Sequence, residues 1–223
     1  MDLSKPILSI ETSGILCGVS VYFDDGKYYT VNIHQKNVHA EKLFECIDSV
    51  IKSASISLED LCAIAISAGP GSFTGLRIGM SAAKGLAFGS HLPIIPVPTF
   101  DALALQISSY LTDGTEFFIA NKVNVEEIYF AKFKVIGNSY IFAEGLKIIH
   151  REDLISKVGD QLTFGTACIN YDCKNFKPDV SMPDPFYVAK WSKLFGQDKV
   201  LIDYDYLEPN YLKNFIIMER KNA

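Results

Sequence analysis

The chain has 223 residues, 48% of them hydrophobic, which suits one large or two small packed domains and excludes a disordered chain. Lys and Arg number 21 against 26 Asp and Glu, a net charge of -5. That balance argues against a stand-alone nucleic-acid binder, but not against an acidic subunit of a larger assembly.

No run reaches the roughly 18 apolar residues of a membrane span. The start, Met-Asp-Leu-Ser-Lys-Pro, lacks the organisation of a signal peptide. Cys17, Cys46, Cys62, Cys168 and Cys173 form no C-x-x-C pair, so reduced, mostly buried thiols in the cytoplasm are expected. Cys168 and Cys173 lack the second Cys/His pair of a zinc site.

A buried strand is expected over 7–11, then strands over 16–23 and 27–33 around the turn Asp24-Asp25-Gly26. The period then changes. Leu43, Phe44, Ile47, Val50, Ile51 and Ala54 form an apolar stripe that predicts a helix over 39–54, with Glu41, Lys42, Glu45, Asp48 and Lys52 mostly off it. A strand over 62–66 leads to a glycine-rich segment at Gly69, and a helix runs from about 74 to 89. A short proline-bearing strand follows over 93–97, its prolines pointing to an edge or an early end. A helix over 99–110 has Thr99 as its expected N-cap, with Leu103 and Ile107 on one face.

Asp113-Gly114-Thr115 divides an N-terminal lobe, 1–112, from a C-terminal lobe, 113–223. The second lobe is expected to hold strands over 116–120, 127–135 and 140–149, the last two joined at Gly137-Asn138. A short helix over 151–158, a strand over 162–165, a connection over 178–185 and a helix capped by Asp184 and ending near Phe195 complete it. Both halves place antiparallel strands first and alternate helices with strands afterwards. This α/β plan of two mixed sheets flanked by helices resembles the duplicated ribonuclease-H-like lobe of the actin-like ATPase (ASKHA) superfamily.

The segment Gly69-Pro70-Gly71-Ser72-Phe73-Thr74-Gly75-Leu76-Arg77-Ile78-Gly79 lies between a strand and a helix, where phosphate loops occur. It fails the Walker A pattern, because Gly75 follows Gly71 by four residues and no Lys comes next. It fails the dinucleotide pattern, because Thr74 holds the third glycine position. A serine-hydrolase elbow fails at the same residue. Gly75, Gly79, Ala83 and Ala87 do form one strip of small residues, with Gly85 and Gly89 repeating the spacing nearby. That strip admits close approach of a backbone. It suits either the chain's own sheet or a partner helix.

The same segment resembles the signature of the bacterial TsaB (YeaZ) family. Ile7-Leu8-Ser9-Ile10-Glu11-Thr12-Ser13, His39-Ala40-Glu41-Lys42-Leu43, Leu92-Pro93-Ile94-Ile95-Pro96-Val97 and Glu208-Pro209-Asn210-Tyr211-Leu212-Lys213 resemble further family stretches. Two positions depart from the pattern. Glu11 replaces an Asp, and Lys122-Val123-Asn124 or the neighbouring Asn121 stands where an acid-Ala-Arg stretch precedes Glu127-Ile128-Tyr129.

The resemblance implies a non-catalytic subunit pairing with a catalytic TsaD-like subunit and a TsaE-like ATPase. That complex transfers a threonylcarbamoyl group to the adenosine beside the tRNA anticodon, with tRNA met indirectly through the complex. The first two helices would form the partner interface, through His39, Leu43, Cys46, Ile47, Val50, Leu76, Gly79, Met80, Ala83 and Ala87. A homodimer would be the state of that face without the partner. Glu11, Thr12, Gly69, Gly71, Ser72, Thr74 and Arg77 would be candidate contacts to a nucleotide or anion shared with the partner. No cofactor of its own and no metal are expected, ATP or ADP entering only at the complex interface. His34, His39, His91 and His150 show no metal-pair spacing. An actin-like phosphotransferase is the alternative, but Glu11 is one acid where two are needed.

Overall fold

The computed structural model describes residues 4–169, apart from the Cys168 side chain, and 175–212. Cys173 and Lys213 lie outside them. The first sheet holds β1 (Ile7–Glu11), β2 (Leu16–Asp24), β3 (Lys27–His34), β4 (Ala63–Gly69) and β5 (Ile94–Pro98), in the order β3-β2-β1-β4-β5. β1 to β3 pair antiparallel, whereas β4 and β5 run parallel to β1. β4 is buried along its whole length, as its unbroken small and apolar run requires for a parallel strand covered on both faces. β5 tolerates its prolines because it is an edge.

The second sheet repeats this plan. It holds β6 (Glu116–Lys122), β7 (Glu127–Ile136), β8 (Ser139–His150), β9 (Thr163–Phe164) and β10 (Phe176–Lys177), in the order β8-β7-β6-β9-β10. The expected two-lobed, actin-like α/β plan is therefore present. The helices are α1 (His39–Ala54), α2 (Phe73–Ser90), α3 (Thr99–Ser108), α4 (Leu154–Val158) and α5 (Pro185–Phe195).

Strand alternation sorts the core into layers. Leu8, Ile10, Cys17, Val19, Ile64 and Ile66 face α1 and α2. Ile7, Ala63, Ala65, Ile95 and Val97 face the opposite way, toward Ala102 and Leu105 of α3 and Val188, Ala189 and Trp191 of α5. Phe100, Leu103 and Ile107 of α3 pack on Phe117, Ile119, Tyr129 and Phe133 of the second sheet. Leu154 and Val158 of α4 close its far side against Phe118 and Phe130.

Three local expectations change. Pro98, not Thr99, takes the N-cap position of α3, while the Thr99 hydroxyl accepts a hydrogen bond from the Gly69 N–H at 3.1 Å. The helix over 151–158 is a 3-10 turn at Arg151–Asp153 followed by α4. The assignment of all of 113–223 to the second lobe is corrected as well. α5, capped as expected by Asp184, packs on β1 and β2 of the first sheet. Beyond it, Leu201 bridges Ile94, and the Asn210 N–H donates to the Ala68 carbonyl. The first sheet would otherwise leave the face of Ile7 and Tyr22 bare, and α5 covers it. Among the described residues no helix is long and apolar enough to cross a membrane.

Candidate functional site

α2 begins at Ser72, whose hydroxyl accepts from the Gly75 N–H, and the first turns lie on the loop after β1. A side chain at Gly75 would enter the Thr12 carbonyl, and one at Gly79 would enter the Thr12 hydroxyl and press on Ile66. The small-residue strip thus serves close packing on the chain's own sheet. Its assignment to a partner interface is corrected.

The other residues expected at the interface are buried as well, and of these His39 and Leu43 still line the groove described below. Leu43, Cys46, Ile47, Val50, Leu76, Met80, Ala83 and Ala87 are all buried in the first lobe's own core. His39 is buried too, and its Nε2 lies 3.0 Å from the Leu16 carbonyl oxygen. An apolar stripe at helical spacing is by nature the face that the monomer buries first.

The free face of the two helices carries different residues. Ala40 and Phe44 of α1 and Arg77, Ile78, Ser81 and Ala82 of α2 border a groove of about 420 Å³ with His39 and Leu43 in its floor. Phe44 is 58% exposed, and Phe88, further along α2, is 78% exposed. The sequence places Phe44 within the buried stripe, and the structure does not. It follows Leu43 by one residue, which turns it about 100° around the helix and onto the rim. Phe88, set between Gly85 and Gly89, is legible as a large apolar residue on a face of small ones. Cys17 and Cys46 are buried free thiols, and Cys62 is buried as well, its thiol donating to the Lys5 carbonyl at 3.5 Å.

A larger cleft of about 780 Å³ opens between the lobes. The first lobe lines it with Ser13, Gly14 and residues 70–74, and the second with Asn121, Lys122, Val123, Tyr129 and Thr166. Of the candidate nucleotide contacts, Gly71, Ser72 and Thr74 reach it. Glu11 and Thr12 are wholly buried beneath, and Gly69 packs against the Asn210 backbone. Arg77 lies away from the cleft, in the α1–α2 groove.

Lining residues from both lobes are already engaged. Met182 sits over Gly14, its sulfur accepting from the Leu16 N–H at 3.3 Å, so the turn after β1 is covered. Asn121 stands where a second acid would be needed. Its Oδ1 accepts from the Thr166 N–H at 3.0 Å, and its Nδ2 donates to the Ser181 carbonyl at 2.6 Å. Lys36, Lys122 and Asp179 are the charged side chains of the lining, and Ile169 and Met182 add apolar surface. Sequence reasoning misses Met182, because nothing local marks a methionine in a connection as reaching another lobe.

Glu11 is 0% exposed. Its Oε1 accepts from the Ser13 N–H and the Ser13 hydroxyl, both at 2.5 Å, and Oε2 accepts from the Ser67 hydroxyl. Burial pushes its pKa from 4.5 up to about 7, against the pull of those hydrogen bonds. The carboxyl group staples the ends of β1 and β4 to the loop beneath α2. It has no path to a ligand in the cleft. Among the described residues no group of three His, Cys, Asp or Glu could hold a metal ion.

Comparison with known proteins places this geometry among relatives. The family model described as TsaD, tRNA N6-adenosine threonylcarbamoyltransferase, matches residues 32–164. The tRNA threonylcarbamoyladenosine biosynthesis protein TsaB of Haemophilus influenzae is 28% identical, with 96% of each chain covered. The protein of the same name from Escherichia coli is 31% identical over 72% of this chain and 71% of its own. The solved structure of YeaZ from Pseudomonas aeruginosa, 20% identical, shares the fold with a TM-score of 0.77 over 93% of this chain and 100% of that one.

Proposed function

The chain belongs to the TsaB family of tRNA threonylcarbamoyladenosine biosynthesis proteins, and on that premise we propose that it acts as the non-catalytic subunit that pairs with a TsaD-type transferase through the open face of α1 and α2. The observation that carries this reading is the α1–α2 groove with Phe44 exposed on its rim and Phe88 exposed further along α2, a surface the monomer leaves largely unpacked. The sealed Glu11, the engaged Asn121 and the covered turn at Gly14 support a subunit without a phosphate site of its own. They weigh against the actin-like phosphotransferase alternative. A TsaE-type ATPase joins the pair, and tRNA meets this chain only through the complex. ATP or ADP enters only where the subunits meet. The chain works in the cytoplasm, and its homodimer through the same face is the state that forms when the transferase is absent.

Size-exclusion chromatography of the full chain mixed with the TsaD-type subunit tests the reading. A co-eluting complex that Phe44→Asp abolishes is expected. Two separate peaks for the wild-type mixture overturn it. Calorimetry with Mg-ATP on the chain alone is expected to show no micromolar binding.

A further inference from the structure

We infer that Arg77 is the carboxylate receptor of the α1–α2 groove, built to take an acidic side chain on a partner helix whose apolar residues seat beside it. This rests on the reading of that groove as the partner surface.

Arg77 lies at the groove's rim and also lines the adjoining hollow beside Leu207, Glu208, Pro209 and Tyr211. Its guanidinium carbon sits 3.8 Å from the centre of the Phe73 ring and 5.8 Å from that of Tyr211. Its Nε donates to the Tyr211 hydroxyl at 3.0 Å. Tyr211 is itself fixed, since its carbonyl accepts from the Tyr129 hydroxyl at 3.2 Å and Asn210 is tied to Ala68. An arginine held this way has already lost much of its rotamer freedom, and stacking leaves its two terminal nitrogens available as a planar fork.

Among the described residues Arg77 has no carboxylate partner, whereas Lys42 and Lys52 of α1 are both in ion pairs. The groove therefore presents an oriented, unpaired cation above the apolar surface of Leu43, Phe44, Ile78 and Ala82. A helix with a carboxylate three or four residues from a large apolar side chain satisfies both features at once. A nucleic-acid strand does not. It would need several cations, and Glu41, Glu45 and Asp48 lie exposed along α1.

The test is calorimetric titration of the full chain with the TsaD-type subunit at low and high salt. Arg77→Met is expected to weaken association about tenfold and to flatten its salt dependence. Arg77→Lys restores only part, because an ammonium lacks the fork. Tyr211→Phe weakens association less. Thermal midpoints equal to wild type keep the readout on binding, since Arg77 is exposed. Wild-type affinity and salt slope in Arg77→Met overturn the inference while leaving the proposed pairing intact. Loss of tRNA retention with undiminished subunit binding also overturns it, in favour of a phosphate receptor. Absence of wild-type binding marks failure of the pairing itself.

Discussion

Gly79 of α2 rests on the hydroxyl of Thr12 with no room for a Cβ between them. This contact fixes which side of α2 belongs to the monomer. Gly79→Leu should therefore destabilise the whole fold by about 3 kcal/mol or more, through overpacking against Thr12 and Ile66. Gly85, on the same helix, has nothing near its missing Cβ. Gly85→Ala should stabilise the chain by about 0.5–1 kcal/mol. Urea unfolding of both variants checks the contrast. Lost association with an intact fold in Gly79→Leu would return the strip to a partner surface.

The exposed aromatic of α1 should behave in the opposite way. Phe44→Asp removes apolar surface that the monomer leaves more than half exposed. It should leave stability within about 0.5 kcal/mol of wild type while disrupting binding to the TsaD-type subunit. Differential scanning fluorimetry beside the titration reads the two effects separately.

Glu11 gives the fold a pH dependence of definite sign. Its pKa rises on folding from 4.5 to about 7, so the folded state holds the proton more tightly. The stability linked to this proton is complete below pH 4.5 and declines as pH rises through about 7, after which it is constant. Every tenfold difference in proton affinity between the folded and unfolded chain is worth about 1.4 kcal/mol. Glu11→Gln removes the titration. Its urea midpoint, compared with wild type across this range, should gain on wild type as pH rises. Parallel curves would show that Glu11 does not titrate there.

The two lobes are joined through Tyr140. Its hydroxyl donates to Asp101 of α3 at 2.9 Å and accepts from the Trp191 indole N–H of α5 at 2.8 Å. Burial raises the pKa of Asp101. Tyr140→Phe leaves both neighbours short of a partner and should cost about 1–3 kcal/mol. Trp191 is the chain's one tryptophan. A changed fluorescence emission maximum in the folded variant reports the loss directly.

Most of the architecture was legible because strand alternation and helical period follow local chemistry. The turn at Asp24-Asp25-Gly26, the Asp184 cap and the break near Gly114 are each written in a few adjacent residues. The return of α5 to the first sheet was not legible, because Val188 and Ala189 indicate an apolar face without naming the sheet that receives it. The same ambiguity bears on the interface assignment. Leu43, Ile47 and Val50 show that α1 buries a face, and the monomer's own sheet takes it. The Gly75–Gly79 spacing correctly marked a close approach, but Thr12, about 65 residues earlier in the chain, supplies the backbone. The cleft was only partly legible. Ser72 and Thr74 reach it from their loop, whereas Met182 comes from a connection whose path depends on the whole fold.

Formation of threonylcarbamoyladenosine on tRNA, measured in a purified system with this chain present, absent or supplied alone, tests the central claim most directly. A subunit that works by pairing should give no product alone and should restore product when added to the TsaD- and TsaE-type proteins, with Phe44→Asp failing to do so. Product from this chain alone, or equal product without it, would contradict that role.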